Sequence, residues 1–318
     1  MARHSIPDII DQAEPRQGEL RTETRPVAWN VIRSLRPEQW TKNLIIFGGL
    51  LFGQRLFDLH SVVYATAAFA VFCALSGVVY LLNDVADRDA DRRHPLKRRR
   101  PIASGELSTS TALVAAGILA IAAVAVAFWL HTEFGVLATA YLALLAFYSG
   151  PLKHVVIVDV LTIAIGFVLR AAAGAAVIDV PISNWLLFIT ILGALFLALS
   201  KRRHELVLLA DDATSHRPIL QEYTPYLLDQ MISVVTASTL VAYAFYTVNP
   251  ETVEKFHTTR LALTLPFLLY GIFRYLYLVH QKEGGGSPAA MLLNDRPLLV
   301  CVALWALAVA LIIYGPIK

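Results

Sequence analysis

Asn83-Asp84-Val85-Ala86-Asp87-Arg88-Asp89-Ala90-Asp91-Arg92-Arg93-His94-Pro95-Leu96-Lys97-Arg98-Arg99-Arg100-Pro101-Ile102-Ala103-Ser104-Gly105 follows directly on a long apolar run. On a helix, Asp84, Asp87 and Asp91 fall at i, i+3 and i+7 and project from one face. Like charges held that closely repel, and a divalent cation among them removes the conflict. Oxygen-only ligands favour Mg²⁺ or Mn²⁺, and Mg²⁺ commonly binds substrate phosphate as well. Arg92, Arg93, Lys97, Arg98, Arg99 and Arg100 supply counter-charge for an incoming anion. A loop that only fixed membrane orientation would need the basic residues but not the carboxylate ladder.

The surroundings of this stretch define the class of protein. The chain is 318 residues long, 57% hydrophobic and 16% charged, with a mean hydropathy of +0.59. Those values describe a multi-spanning membrane protein, with apolar runs spaced as one helical bundle. Runs long enough, or nearly so, to cross a bilayer core of ~30 Å lie at about 42–59, 61–82, 109–130, 134–149, 155–177, 184–200, 230–248, 260–280 and 297–315. The expected fold is therefore an all-α membrane protein, a single bundle of about nine transmembrane helices. Residues 1–28 are polar, carry Pro7, Pro15, Pro26 and Gly18, and have no apolar core. We expect a disordered cytosolic tail there, not a cleaved secretory signal, with the transmembrane domain at 29–318. Cys73 and Cys301 sit in apolar runs without metal or disulfide spacing and are expected to be small buried hydrophobes.

Basic residues set the orientation. With the N-terminus inside, the loops at 83–108, 150–154, 201–229 and 281–296 collect most of the Lys and Arg, whereas the outer side has Arg55, Lys255, Arg260 and Lys318. The carboxylate stretch then faces the cytoplasm, and three further segments end at the same face. Arg36-Pro37-Glu38-Gln39-Trp40-Thr41-Lys42-Asn43 offers Lys42 to a phosphate, although Trp40 and Lys42 equally suit interfacial anchoring. Tyr148-Ser149-Gly150-Pro151-Leu152-Lys153-His154 leads into a helix on which Asp159, Ile163, Gly166 and Arg170 share a face. Arg170 lies ~16 Å along the axis from Asp159, too deep to snorkel. A charge at that depth calls for a compensating anion: Asp159, a carboxylate on another helix, or a substrate phosphate. A purely structural ion pair is the alternative.

The third segment, Ser200-Lys201-Arg202-Arg203-His204-Glu205-Leu206, ends a helix where the dipole also favours cations. Adjacent Asp211 and Asp212 point about 100° apart and make a poor shared metal site. Gly284-Gly285-Gly286 lacks the following Lys-Ser/Thr of a P-loop. Nothing in the pattern points to nucleic acid. The surplus of cations over carboxylates at one mouth points instead to a polyanionic substrate in a membrane-embedded bundle.

Asn83-Asp84-x-x-Asp87-x-x-x-Asp91 at the end of the second helix resembles the UbiA superfamily of intramembrane transferases, over nearly the whole chain beyond the tail. Arg36-Pro37-x-Gln39-Trp40-x-Lys42-Asn43, His94-Pro95-x-Lys97-x-x-Arg100-Pro101-Ile102-Ala103-Ser104-Gly105, the Lys153, Asp159, Arg170 set, Lys201-Arg202-x-x-Glu205-Leu206 and Asp295-Arg296-Pro297-Leu298 resemble its decaprenyl-phosphate phosphoribosyltransferase branch. The resemblance implies an Mg²⁺-dependent enzyme of the cell (inner) membrane, N-terminus cytoplasmic. It would move 5-phosphoribose from phosphoribosyl diphosphate to a polyprenyl phosphate to make a cell-envelope glycolipid precursor. Asp84, Asp87 and Asp91 would hold the metal. Lys42, Asn83, Lys97, Arg100, Tyr148, Lys153, Asp159, Arg170, Lys201, Arg202 and Glu205 would contact substrates. Aromatic prenyltransferases of the superfamily carry a second aspartate motif after the sixth helix, where this chain has Lys201, Arg202, Arg203 and Glu205. That exchange favours the phosphoribosyl reading over a prenyl diphosphate donor. A transporter using Asp159, Arg170 and Arg274 is a further alternative, disfavoured by missing internal repeats.

Overall fold

The computed structural model describes residues 26–94, 97–208, 218–282 and 288–315, and among these there is no β-strand. The polar tail, Asp211, Asp212 and the triglycine turn fall outside the described residues, apart from the tail's last few positions. Fourteen α-helices follow in order: α1 Val27–Ser34, α2 Gly48–Phe52, α3 Leu59–Ala86, α4 Arg88–Arg93, α5 Pro101–Ser104, α6 Thr109–Leu130, α7 Thr132–Ser149, α8 Val158–Ala176, α9 Asn184–Leu208, α10 Pro225–Val248, α11 Pro250–Phe256, α12 Leu265–Gln281, α13 Pro288–Asn294 and α14 Arg296–Tyr314. Among the described residues, eight helices are long and apolar enough to cross a membrane. They are α3, α6, α7, α8, α9, α10, α12 with its preceding 3₁₀ turn, and α14.

The expected first span, 42–59, is not among them. Pro37–Phe47 winds as a 3₁₀ helix and only Gly48–Phe52 is α-helical. The reason is the approach of backbones. A Cβ on Gly174 of α8 would lie 2.2 Å from the Ile46 carbonyl oxygen, and one on Gly49 would lie 2.7 Å from the Gly174 carbonyl oxygen. In lipid, helix association relies on small residues that let backbones meet, and here the contact extends to an irregular segment sheltered by protein.

Polar caps mark the ends of the spans. Asp58 accepts from the Ser61 N–H (3.3 Å), Ser108 from Thr111 (3.1 Å), Thr224 from Leu227 (3.1 Å) and Asp295 from Leu298 (2.9 Å). Each satisfies a helix-end donor that lipid could not. Helices adjacent in sequence pack together from α6 through α10, and α3 packs on α6 and α7. The ring closes where the ends of the chain meet. The Tyr314 hydroxyl donates to the Leu50 carbonyl (2.8 Å) and accepts from the Leu56 N–H (3.1 Å), while α13 touches the 3₁₀ segment.

Four apolar clusters are buried among the described residues, two of them larger than the rest. One joins Ile46, Phe72, Leu75, Phe134, Tyr141 and Val177; the other joins Val160, Leu199, Leu228, Ile232, Tyr275 and Leu298. Helices α3 and α8 are the most enclosed spans, 56% of the apolar window of each being buried, against 17% for α6. The charged residues of interest therefore hang from the helices that lipid touches least. Cys73 and Cys301 are buried and unpaired, as small hydrophobes should be.

Candidate active site

The carboxylate ladder is not carried by one helix. α3 ends at Ala86, Asp87 is its C-cap with φ −94° and ψ 7°, and α4 restarts at Arg88. The ladder of backbone bonds still runs through the joint, with the Asp87 N–H on the Asn83 carbonyl (2.8 Å) and the Asp91 N–H on the Asp87 carbonyl (2.8 Å). Asp84 and Asp91 consequently stay together while Asp87 turns aside. One nitrogen of Arg100, Nη1, reaches Asp84 at 3.1 Å and Asp91 at 2.5 Å. Arg36 also pairs with Asp84. Asp87 takes the Lys153 ammonium at 2.7 Å. Asp84 and Asp91 are buried, whereas Asp87 is 42% exposed on its side chain.

Arg36 reaches Asp84 because its backbone is left-handed, φ 53° and ψ 66°, immediately before Pro37. A non-glycine residue in that region is uncommon and marks a constrained position. Its guanidinium also lies 4.7 Å from the Tyr80 ring centroid. Neither Arg36 nor Tyr80 stood out in sequence as a site residue. The signal for Arg36 was the Arg-Pro step, which bars the helical region to the residue before proline.

These groups line a cavity of about 590 Å³ walled by Arg33, Arg36, Glu38, Lys42, Tyr80, Asp84, Lys97, Arg99, Arg100 and Lys201 among others. Its walls come from α1, the 3₁₀ segment, α3, the α4–α5 connection and α9, so elements distant in sequence meet at one mouth. Lys42 has no carboxylate within 4 Å among the described residues. Burial and the charges of Lys201, Arg170 and Arg36 pull its ammonium down to about 7. It lies outside the eight spans, at the cavity wall.

Other expected site residues belong to a second, enclosed centre. Arg202 is 2% exposed and Asp159 is fully buried. Arg202 donates from Nε to Asp159 (2.9 Å), from Nη1 to Glu205 (2.8 Å) and from Nη2 to the Tyr148 hydroxyl (3.3 Å). The Tyr223 hydroxyl donates to the other Asp159 oxygen at 2.9 Å and accepts the Ile157 N–H at 2.8 Å. Arg202, expected to contact a substrate phosphate, has its fork engaged here by side chains of α7, α8 and α9. Lys201 turns to the cavity while pairing with Glu205 at 3.8 Å. Arg203 pairs with Asp229, which also meets His280 at 3.2 Å.

Arg170 does not meet Asp159, despite their shared face. Nε donates to Asn43 (2.8 Å), Nη2 to the Tyr141 hydroxyl (2.6 Å), and the guanidinium stacks over the Tyr141 and Phe167 rings at 4.6 and 4.9 Å. Arg274 makes a bidentate pair with Asp295 at 3.1 and 2.8 Å, which fastens α12 to the start of α14.

The described residues contain no ready-made cluster of three metal-binding side chains. Two carboxylates that share one guanidinium nitrogen nevertheless face each other across the span of a single donor. Their all-oxygen chemistry fits a hard divalent cation, with Arg100 as the group that would have to withdraw.

Among the described residues the fold is an all-helical bundle of membrane-length helices whose basic cavity is lined by Asp84, one of the two paired carboxylates. The chain belongs to the UbiA prenyltransferase family, whose model matches residues 44–295. It is 30% identical to the decaprenyl-phosphate phosphoribosyltransferase of Mycolicibacterium smegmatis, over 96% of this chain and 98% of that protein. It is also 30% identical to the enzyme of the same name from Corynebacterium glutamicum, over 92% and 90%. Among solved structures, a UbiA homolog from Archaeoglobus fulgidus bound to GPP and Mg²⁺ matches with a TM-score of 0.69 at 18% identity, covering 89% of this chain and 99% of that one.

Proposed function

We propose that this protein transfers 5-phosphoribose from phosphoribosyl diphosphate to a polyprenyl phosphate at the cytoplasmic face of the cell membrane, releasing diphosphate. In the reaction the bond from the anomeric carbon to the diphosphate oxygen breaks, and a bond to an oxygen of the lipid phosphate forms. The observation that carries this reading is Lys201, which lines the same cavity as Asp84. There a second acidic motif would suit a prenyl diphosphate, whereas a cation suits a donor with an additional 5-phosphate. The names of the two bacterial relatives support the same substrates.

Asp84 and Asp91, with Asp87 beside them, would hold Mg²⁺, whose bound form neutralises charge on the diphosphate leaving group. With a metal held there, Arg36, Arg100 and Lys153, now paired with these carboxylates, would be free to donate to the phosphates of the ribosyl donor. Lys42 and Lys201 offset the repulsion between the two phosphorylated substrates. The lipid phosphate is already ionised near neutral pH, its second pKa being about 6, so no strong general base is required. Tyr148, Asp159, Arg202 and Glu205 act behind the cavity, setting the position of α9 and thereby of Lys201. Purified protein given labelled phosphoribosyl diphosphate and polyprenyl phosphate should release diphosphate. Release only with a prenyl diphosphate and an aromatic acid would replace this reading.

A further inference from the structure

Arg170 is 6% exposed, sits in one of the two most enclosed spans, and has no carboxylate partner among the described residues. Two of the three anions its depth called for are eliminated by geometry. Asp159 is committed to Arg202 and Tyr223, and no carboxylate lies within 4 Å of Arg170 among the described residues. Its acceptors are neutral, an amide and a phenol, and they take only Nε and Nη2. Nη1 has no hydrogen-bond partner among the described residues, and it is not one of the side-chain atoms enclosed without a partner. It therefore keeps a donor that no described residue takes, beside Gly166, where an added Cβ would stand 3.8 Å away.

The rest of the network holds that donor in place. The Asn43 side chain is fully buried and donates to the Cys73 sulfur (3.4 Å), while its oxygen accepts from Arg170 and from Ser76 (3.3 Å). Ser76 and the Tyr141 hydroxyl lie 3.1 Å apart. A buried unpaired cation costs several kcal/mol in general, so a set of neutral groups that fixes one without neutralising it implies an anion from elsewhere. Ser76, Tyr80 and Asp84 follow at i, i+4 and i+8 on one face of α3. The Arg170 network thus stands two turns, ~12 Å, deeper than the carboxylates. Tyr80 and Lys42 line the mouth cavity between the two levels.

We propose that Arg170 Nη1 binds a phosphate monoester below the metal-type carboxylates, and that this phosphate is the one on the lipid acceptor. A water-soluble donor has its cations at the mouth, whereas a phosphate on a membrane-bound chain arrives at bilayer depth, where Arg170 is the fixed charge. The 5-phosphate of the ribosyl donor has the same chemistry and is the competing source. The assignment of the acceptor rests on the transfer reaction proposed above.

The test is run on the purified full-length protein in lipid nanodiscs, with Arg170→Gln and Arg170→Lys. Thermal unfolding without donor compares a polyprenyl monophosphate, the matching polyprenol, and ribose 5-phosphate. The wild type should be stabilised by the lipid phosphate and not by the alcohol, and Arg170→Gln should lose that difference. In the transfer assay Arg170→Gln should raise the KM for lipid phosphate by at least about tenfold, as loss of a charged hydrogen bond does, with the donor KM unchanged. Arg170→Lys keeps the charge without the fork and should fall between the two, which keeps the test decisive where Arg170→Gln does not fold. Equal stabilisation of wild type and Arg170→Gln by lipid phosphate would overturn the proposal. So would an effect confined to ribose 5-phosphate and the donor KM. If the wild type transfers nothing from phosphoribosyl diphosphate, the reaction fails while the lipid-phosphate binding result still stands or falls by itself.

Discussion

At the scale of single residues, the site stores its carboxylates as ion pairs. Asp84 and Asp91 share Arg100, and Asp87 holds Lys153. Asp84→Asn and Asp87→Asn should leave the protein inserted in membranes and lower transfer by more than ~100-fold, beyond the loss typical of groups that only orient metal ligands. Activity and membrane content measured on the same preparations check this; near-normal turnover of either variant in chelator would remove the metal assignment. Lys42 gives a pH signature. Its ammonium is held down to about 7 in the free protein, and a phosphate beside it restores the charge. Donor affinity should therefore be full below pH 7 and fall as pH rises through 7 to 9, at most about tenfold per unit. The donor's own phosphates are ionised across that window. Titration calorimetry with Mg²⁺ and phosphoribosyl diphosphate should show proton uptake on binding, and Lys42→Met should flatten the profile. An affinity independent of pH in the wild type would place Lys42 away from the phosphates.

Elements matter through two contacts. The 3₁₀ segment that carries Arg36, Lys42 and Asn43 reaches the site only because Gly174 has no side chain, an added Cβ lying 2.2 Å from the backbone of Ile46. Gly174→Ala cannot be absorbed by a flexible side chain, so it should push the segment off α8, lowering both thermal stability and activity. Gly117→Ala on α6 meets nothing within 4 Å and serves as the control. The Arg202 centre ties α7, α8 and α9 together. Arg202→Met strands the buried Asp159 and should cost about 3–5 kcal/mol of stability, as broken buried pairs do. Unfolding in detergent measures this, and a loss of activity at unchanged stability would return Arg202 to the substrate. The helices themselves were legible in sequence, because apolar runs of bilayer length leave few alternatives. The first was not: its 3₁₀ winding depends on a glycine 128 positions away from Ile46, which no local pattern carries. Likewise the i, i+3, i+7 spacing identified the aspartates, but the pause at Asp87 and the pairing of Arg202 with Asp159 depend on other elements.

For the molecule as a whole, buried apolar clusters surround a bundle that carries charge both at the mouth, on Asp84 and Asp91, and deeper, on Arg170. Composition foretold a membrane bundle. It could not separate cations that face the cavity, such as Lys42 and Lys201, from those spent on structure, such as Arg202 and Arg274. Side-chain identity is the same in both groups, and only the fold distributes their partners. The central claim is that the mouth cavity joins a phosphoribosyl donor to a lipid phosphate. The most direct measurement incubates purified protein and Mg²⁺ with phosphoribosyl diphosphate labelled in the ribose and with polyprenyl phosphate, followed by mass analysis of the lipid extract. The expected product is a lipid heavier by one 5-phosphoribosyl group, formed together with diphosphate and lost with chelator. A lipid extract without label, from protein that instead prenylates an aromatic acid, would contradict it.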